Sequence, residues 1–196
     1  MSITVGLTGM SGAGKTTVSE CFARAGYHVI NCDKTARDAA KRGSPLIKRL
    51  ADEFGKDVVN ADGELNRGLL ADRAFSSRES TEKLNSLMLP YIVSMIKKQI
   101  ANANSEYVLL DAPTLFESGA DKLCDCTVAV TADRDLCAAR IVARDGITVQ
   151  QANDRLRVQH SSEYFAENCT YVIINNGSLA DLVSRTEQII SYINER

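Results

Sequence analysis

Ile3-Thr4-Val5-Gly6-Leu7-Thr8-Gly9-Met10-Ser11-Gly12-Ala13-Gly14-Lys15-Thr16 is the stretch that decides the fold. Residues 3 to 8 form a short, β-rich apolar run that stops at Gly9, which predicts a buried parallel strand. Gly9 to Thr16 then matches the pattern G-x-x-x-x-G-K-S/T. Its glycines permit backbone conformations that a Cβ obstructs, so consecutive N–H groups can turn inward around phosphate oxygens. Lys15 brings a point charge for the β- and γ-phosphates, and Thr16 offers a hydroxyl to Mg²⁺. A chance match in a glycine-rich turn lacks context. Here a strand precedes the motif, and helical spacing follows from Thr16 to Ala25, with Val18, Cys21, Phe22 and Ala25 on one face. That helix aims its positive end at the phosphates.

Working outward, Gly26 ends the helix, and Tyr27 to Asn31 reads as a second strand followed by Asp33. Tyr107 to Asp111, Thr127 to Thr131 and Tyr171 to Asn175 are three more short apolar runs. Between them lie helical stretches. Asp33 to Phe75 is interrupted, with Pro45 opening a helix to about Phe54, a turn at Asn60 to Gly63, and a short helix from Leu65 to Phe75. Residues 78 to 100 carry a longer pattern with Pro90 inside it or at a break. Asp133 starts a helix through Arg144, Thr148 starts another, and Ser178 caps a last one. Apolar strands alternating with helices predict a doubly wound α/β fold, a three-layer α/β/α P-loop architecture around a parallel sheet. Ligands then belong at the carboxyl edge of the strands. The expected organisation is one P-loop domain over 1–196. Its nucleotide-binding core takes about 1–33, 105–135 and 170–196, its helical acceptor region about 34–104, and its lid about 136–168.

Composition narrows the function classes. With 23 Lys+Arg against 25 Asp+Glu there is no bulk basic character, so nucleic acid is not the expected partner. An anionic ligand must be held by a local cluster. Six cysteines include no CxxC pair, and Cys124-Asp125-Cys126 is too tight for zinc-ligand spacing, so they read as reduced thiols. The apolar run at the start is too short for a secretory or membrane-spanning segment, which predicts a cytoplasmic protein with no membrane partner.

Phosphoryl transfer needs a group that orients or deprotonates the acceptor. Asp33, at the end of the second strand, is the candidate base and is expected to face the crevice of the glycine loop; it reads equally as a helix N-cap. Asp111 closes the third strand and reads either as a second-sphere support for Mg²⁺ or as a turn residue. Arg140 and Arg144 share one helix face, where they would clamp phosphates or remain solvated surface charges.

The order of these residues resembles the dephospho-coenzyme A kinase family over nearly the full length of the chain. The resemblance is carried by Gly9 to Thr16, the strand Gly26 to Ile30, Asp33 with Ala36-Arg37, and Ala61-Asp62-Gly63 with Leu65, Arg67, Leu70 and Phe75. It continues through Pro113-Thr114-Leu115-Phe116-Glu117, through Arg140, Arg144-Asp145 and Gln159, and through Asn175-Asn176-Gly177. It implies transfer of the ATP γ-phosphoryl group to the ribose 3′-hydroxyl of dephospho-coenzyme A. By the same resemblance Asp33 is the base, with Lys15 and Arg140 carrying transition-state charge. ATP is expected on Gly12, Ala13, Gly14, Lys15, Thr16, Thr17, Arg144, Asn175 and Gly177. Arg37 and Arg67, with Lys34, are candidates for the acceptor side. Thr16 is the expected Mg²⁺ ligand, with Asp33 or Asp111 acting through water. Three positions depart from the family pattern: Asn31 replaces an Asp, Leu89 precedes Pro90 where His is usual, and Thr114 replaces a Leu.

Two other readings use the same loop. A nucleoside or nucleotide kinase shares it together with the lid arginines. A nucleotide-hydrolysing switch protein often carries a guanine-reading N-K-x-D segment, and this sequence contains none.

Overall fold

The computed structural model describes residues 2–195. By contact density the chain divides into two compact units, Met1–Ile30 with Ala103–Arg196, and Asn31–Asn102.

The first unit is built on a sheet of five strands, β1 (Ile3–Gly9), β2 (His28–Asn31), β3 (Tyr107–Asp111), β4 (Cys126–Thr131) and β5 (Tyr171–Ile174), in the order β2-β3-β1-β4-β5. β1 pairs parallel with β3 and with β4, and β4 pairs parallel with β5. Central strands in such a sheet are covered on both faces and favour apolar residues on both. Val5, Leu7, Leu109, Val128 and Val130 are accordingly fully buried. The helices are α1 (Lys15–Arg24), α6 (Arg134–Asp145), α7 (Val149–Arg157), α8 (Ser162–Asn168) and α9 (Leu179–Asn194), numbered to leave α2 to α5 for the second unit. α1 packs on β1, β3 and α9, and α8 packs on β4 and β5. The expected doubly wound α/β architecture is therefore the one observed. β1 holds the centre of the sheet, so the loop that leaves it emerges with strands on either side.

The second unit is helical: α2 (Cys32–Ala39), α3 (Pro45–Phe54), α4 (Arg67–Ala74) and α5 (Arg78–Asn102). α5 packs against the other three around Leu46, Leu50, Leu84, Ile92 and Ile96. α5 runs straight through Pro90, although an interior proline costs about 3 kcal/mol by removing an N–H and crowding the preceding turn. Packing along the helix on both sides of the proline outweighs that local penalty. The helix expected at Leu65 to Phe75 starts two residues later, because the Asn66 side chain accepts the Leu69 N–H and sets the first turn. The N-cap expected of Asp33 belongs instead to Asn31, whose side chain accepts the Lys34 N–H at 2.8 Å. Asp33 lies inside the first turn, where a carboxylate favours the helix electrostatically without capping it. One helix was not separated by sequence periodicity. α7 ends at Arg157, and Ser161 caps a new helix, α8.

Candidate active site

The glycine loop joins β1 to α1, and its conformation is fixed by close neighbours. Gly12 has φ 78°, and a Cβ there would lie 2.6 Å from the Cys137 carbonyl oxygen. Gly14 is the N-cap of α1 with φ 105°, and a Cβ would meet the Asn175 side chain at 2.6 Å. No side chain caps α1, and no acidic residue lies in its first turn. Its leading N–H groups therefore retain their need for an acceptor, which a phosphate supplies.

Two cavities meet this loop, both within the first unit. The larger, about 610 Å³, is lined by Ser11, Lys15, Thr16, Thr114, Arg144 and Gln159 among others. The smaller, about 280 Å³, is lined by Thr17, Asn175, Gly177, Leu179 and Leu182. Gly14 and Arg140 border both. A cavity bordered by an ammonium and a guanidinium suits polyphosphate, and an adjoining slot with two leucines suits a flat heterocycle.

Each sequence-derived candidate in this unit has a definite place. The Lys15 ammonium is paired with the Asp111 carboxylate. Asp111 is thus neither a turn residue nor solvent-exposed; it is the last residue of β3 and the partner of the lysine. Arg140 donates to the Asn175 carbonyl at 3.2 Å and approaches the Gly12 carbonyl at 3.5 Å. This guanidinium is part of the loop's frame, which overturns its reading as a solvated surface charge. Arg144 also borders the larger cavity, but its guanidinium grips Asp145 at 2.7 and 3.0 Å. Arg155 takes the same carboxylate at 2.5 Å. Arg144 first, then Arg155, holds the Asp145 carboxyl down at about 2.

Asn175 is buried, and its Nδ2 donates to the Ala13 carbonyl at 2.7 Å. Asn176 fastens the same turn to the start of α6, donating to and accepting from Asp133 at 2.8 Å. Thr114 is exposed on the wall of the larger cavity beside the fully buried Leu115. The polar departure at Thr114 therefore falls where no apolar burial is lost. Burial pushes the Cys137 and Cys169 thiols up, away from the reactive thiolate.

Asp33, Arg37 and Arg67 belong to the helical unit. All three are exposed, and Arg67 donates to the Arg37 carbonyl at 3.2 Å. The structure thus brings Arg37 and Arg67 together although they are thirty residues apart. An Asp at position 31 would cap α2 as Asn31 does, so that departure leaves the helix start intact. Leu89 is half-buried within α5.

Three contacts at the loop lay beyond sequence reasoning: Lys15 with Asp111, Ala13 with Asn175, and Ser11 with Gln159. They join positions 96, 162 and 148 residues apart. Gln159 was marked only as part of a family pattern, and nothing in its local sequence signals a bond to Ser11.

A metal would find hard oxygen donors here in the Thr16 hydroxyl and the Asp111 carboxylate. Among the described residues no cluster of three or more His, Cys, Asp or Glu could hold an ion by itself. That donor set fits Mg²⁺, which keeps waters and shares ligands with substrate phosphates.

The family model described as dephospho-CoA kinase matches residues 3–181. A dephospho-CoA kinase of Pseudoalteromonas translucida is 38% identical over 175 residues, covering 89% of this chain and 83% of that protein. A dephospho-CoA kinase of Corynebacterium efficiens is 34% identical over 192 residues, covering 96% of each. The crystal structure of TT1252 from Thermus thermophilus superposes with a TM-score of 0.82 at 28% identity, covering 97% of both chains.

Proposed function

We propose, on the premise that this chain belongs to the dephospho-CoA kinase family, that its glycine loop binds Mg-ATP and that the terminal phosphoryl group passes to the ribose 3′-hydroxyl of the acceptor. The activity itself is that of the family: the enzyme phosphorylates dephospho-CoA, a step of CoA biosynthesis. The observation that carries the ATP assignment is the uncapped start of α1 beneath a loop flanked by Lys15 and Arg140.

Phosphoryl transfer passes through a loose transition state, so the protein's work is positioning and charge stabilisation. The N–H groups from Gly12 to Thr17 hold the phosphates, and adenine takes the slot beside Asn175 and Gly177. Lys15 exchanges the Asp111 carboxylate for phosphate oxygens, and Arg140 stands between the two cavities as the second cation. Arg144 joins it by giving up part of its grip on Asp145. Thr16, with Asp111 acting through water, would hold Mg²⁺, which would supply charge neutralisation for the phosphates. Asp33 accepts the acceptor hydroxyl proton; its support is its place two residues after β2 and its match to the family motif. Arg37 and Arg67, both exposed on the helical unit, offer cations to an anionic acceptor. This reading carries a cytoplasmic location with it.

The test is ADP release from Mg-ATP with dephospho-CoA, adenosine, nucleoside monophosphates, or no acceptor. Release with dephospho-CoA alone is the expected result. Equal release without acceptor would make the protein a hydrolase. Replacing Asp33 with Asn should lower kcat by roughly 10²-fold or more while ATP still binds. An unchanged kcat would remove Asp33 from the base role.

A further inference from the structure

The loop that joins α7 to α8 lies against the glycine loop. The Ser11 N–H donates to Gln159 Oε1 at 2.9 Å. A backbone N–H can only donate, so the accepting atom is the amide oxygen, and this fixes the orientation of the Gln159 carboxamide. Its other arm, Nε2, carries two donors on the same planar group.

This joining segment is also fastened by the residues that follow Gln159. The Ser162 hydroxyl donates to Met10 Sδ at 3.4 Å, and His160 Nε2 lies 3.3 Å from Glu117 Oε1. His160 also stacks on Tyr164, with ring centroids 3.7 Å apart. The segment therefore does not need Gln159 to stay in place.

The two cavities give the loop a direction. Thr17, Asn175 and Gly177 line the smaller one; Ser11, Lys15 and Thr16 line the larger. With adenine in the smaller slot, the phosphate chain runs past Gly14 into the larger cavity, and Ser11 lies toward its far end. Gln159 borders that same cavity.

We propose that Gln159 contacts the transferred phosphoryl group: Oε1 stays docked on the Ser11 N–H, and Nε2 donates to a terminal-phosphate oxygen of ATP. The inference rests on the glycine loop being the ATP site. It makes the enzyme's preference for ATP over ADP partly a property of one carboxamide.

Gln159→Glu separates this role from a merely structural one. A carboxylate still accepts from Ser11, so the strap survives, but it has no donor and repels the phosphate. Calorimetric titration with Mg-ADP and with the Mg complex of a β,γ-methylene ATP analogue is the measurement, on wild type, Gln159→Glu and Gln159→Ala. Both variants should lose roughly tenfold or more in affinity for the analogue, as expected for a lost donor to a charged acceptor, while ADP affinity changes by less than about threefold. Thermal melting of each variant without nucleotide establishes that it is folded. Equal losses for both nucleotides, or wild-type affinities in Gln159→Glu, would overturn the proposal. A wild-type protein that bound neither nucleotide would instead sink the ATP-site reading, and one that bound both yet failed to phosphorylate dephospho-CoA would sink only the acceptor assignment.

Discussion

Replacing Asn175 with Ala should damage the nucleotide loop from behind. The Asn175 Nδ2 donates to the Ala13 carbonyl at 2.7 Å, and Ala13 is fully buried. The peptide between Ala13 and Gly14 is planar and trans, so its carbonyl and the Gly14 N–H point in opposite directions. Fastening the carbonyl toward Asn175 therefore fixes the direction of the Gly14 N–H. Removing the side chain leaves a buried carbonyl unpaired, which costs about 1–3 kcal/mol. In a chain of this length each kcal/mol moves Tm by about 2–4 °C, so a fall on the order of 5 °C is expected. With Gly14 already at φ 105°, the freed peptide can rotate. Loss of one N–H to a charged phosphate then raises the KM for ATP by roughly 10- to 100-fold. Scanning fluorimetry and steady-state kinetics with both substrates varied are the assays. Asn175→Asp sharpens the test, because the new carboxyl can donate to Ala13 only while protonated. Its folded pKa is raised above the unfolded value of about 3.9, so the bond is present below that pH and is lost as pH rises through the folded pKa. That variant should match wild type best in acid and fall away toward neutrality. A Tm within about 1 °C of wild type together with an unchanged KM for ATP in Asn175→Ala would refute the reasoning.

Other perturbations follow from the same geometry. Lys15→Ala should abolish ADP release with every acceptor while the protein stays folded; surviving turnover would separate the motif from the chemistry. Gly12→Ala should be destabilised by about 1–2 kcal/mol or more, since a Cβ would press on the Cys137 backbone at positive φ; a chemical-denaturation midpoint reads this. Asp145, held at about 2 by Arg144 and Arg155, contributes stability that is present above its unfolded value near 3.9 and is lost as pH falls from there toward 2. Melting curves across that window should lose this acid-side slope in Asp145→Asn, and added salt should shrink it, because the group is exposed. An Asp145→Asn profile identical to wild type at low salt would remove the carboxylate from that role.

Much of the fold is legible in the sequence because the signals that specify it are local. Val5 and Leu7 within a short β-rich run mark a doubly covered strand. Gly9 to Thr16 marks the turn that follows, since only glycine suits the conformations at Gly12 and Gly14. Asn31 shows where local reading misassigns: both Asn31 and Asp33 are good caps, and the helix starts at one of them according to where β2 ends. Pro90 shows the opposite limit, a local breaker overruled by packing along α5.

The sequence by itself determined that an α/β sheet presents a phosphate loop, because a glycine pattern between a strand and a helix is written in neighbouring residues. It also carried the family, through an ordered set of short motifs. Only the tertiary structure decided what surrounds the loop. Asp111 holds Lys15, Asn175 holds the Ala13 carbonyl, and Gln159 meets Ser11 because parallel strands return the chain to the same sheet edge after long crossovers. Contacts made across such separations depend on the register and order of β1, β3, β4 and β5. No stretch of residues specifies that order alone; it is settled when the whole sheet buries its two faces at once.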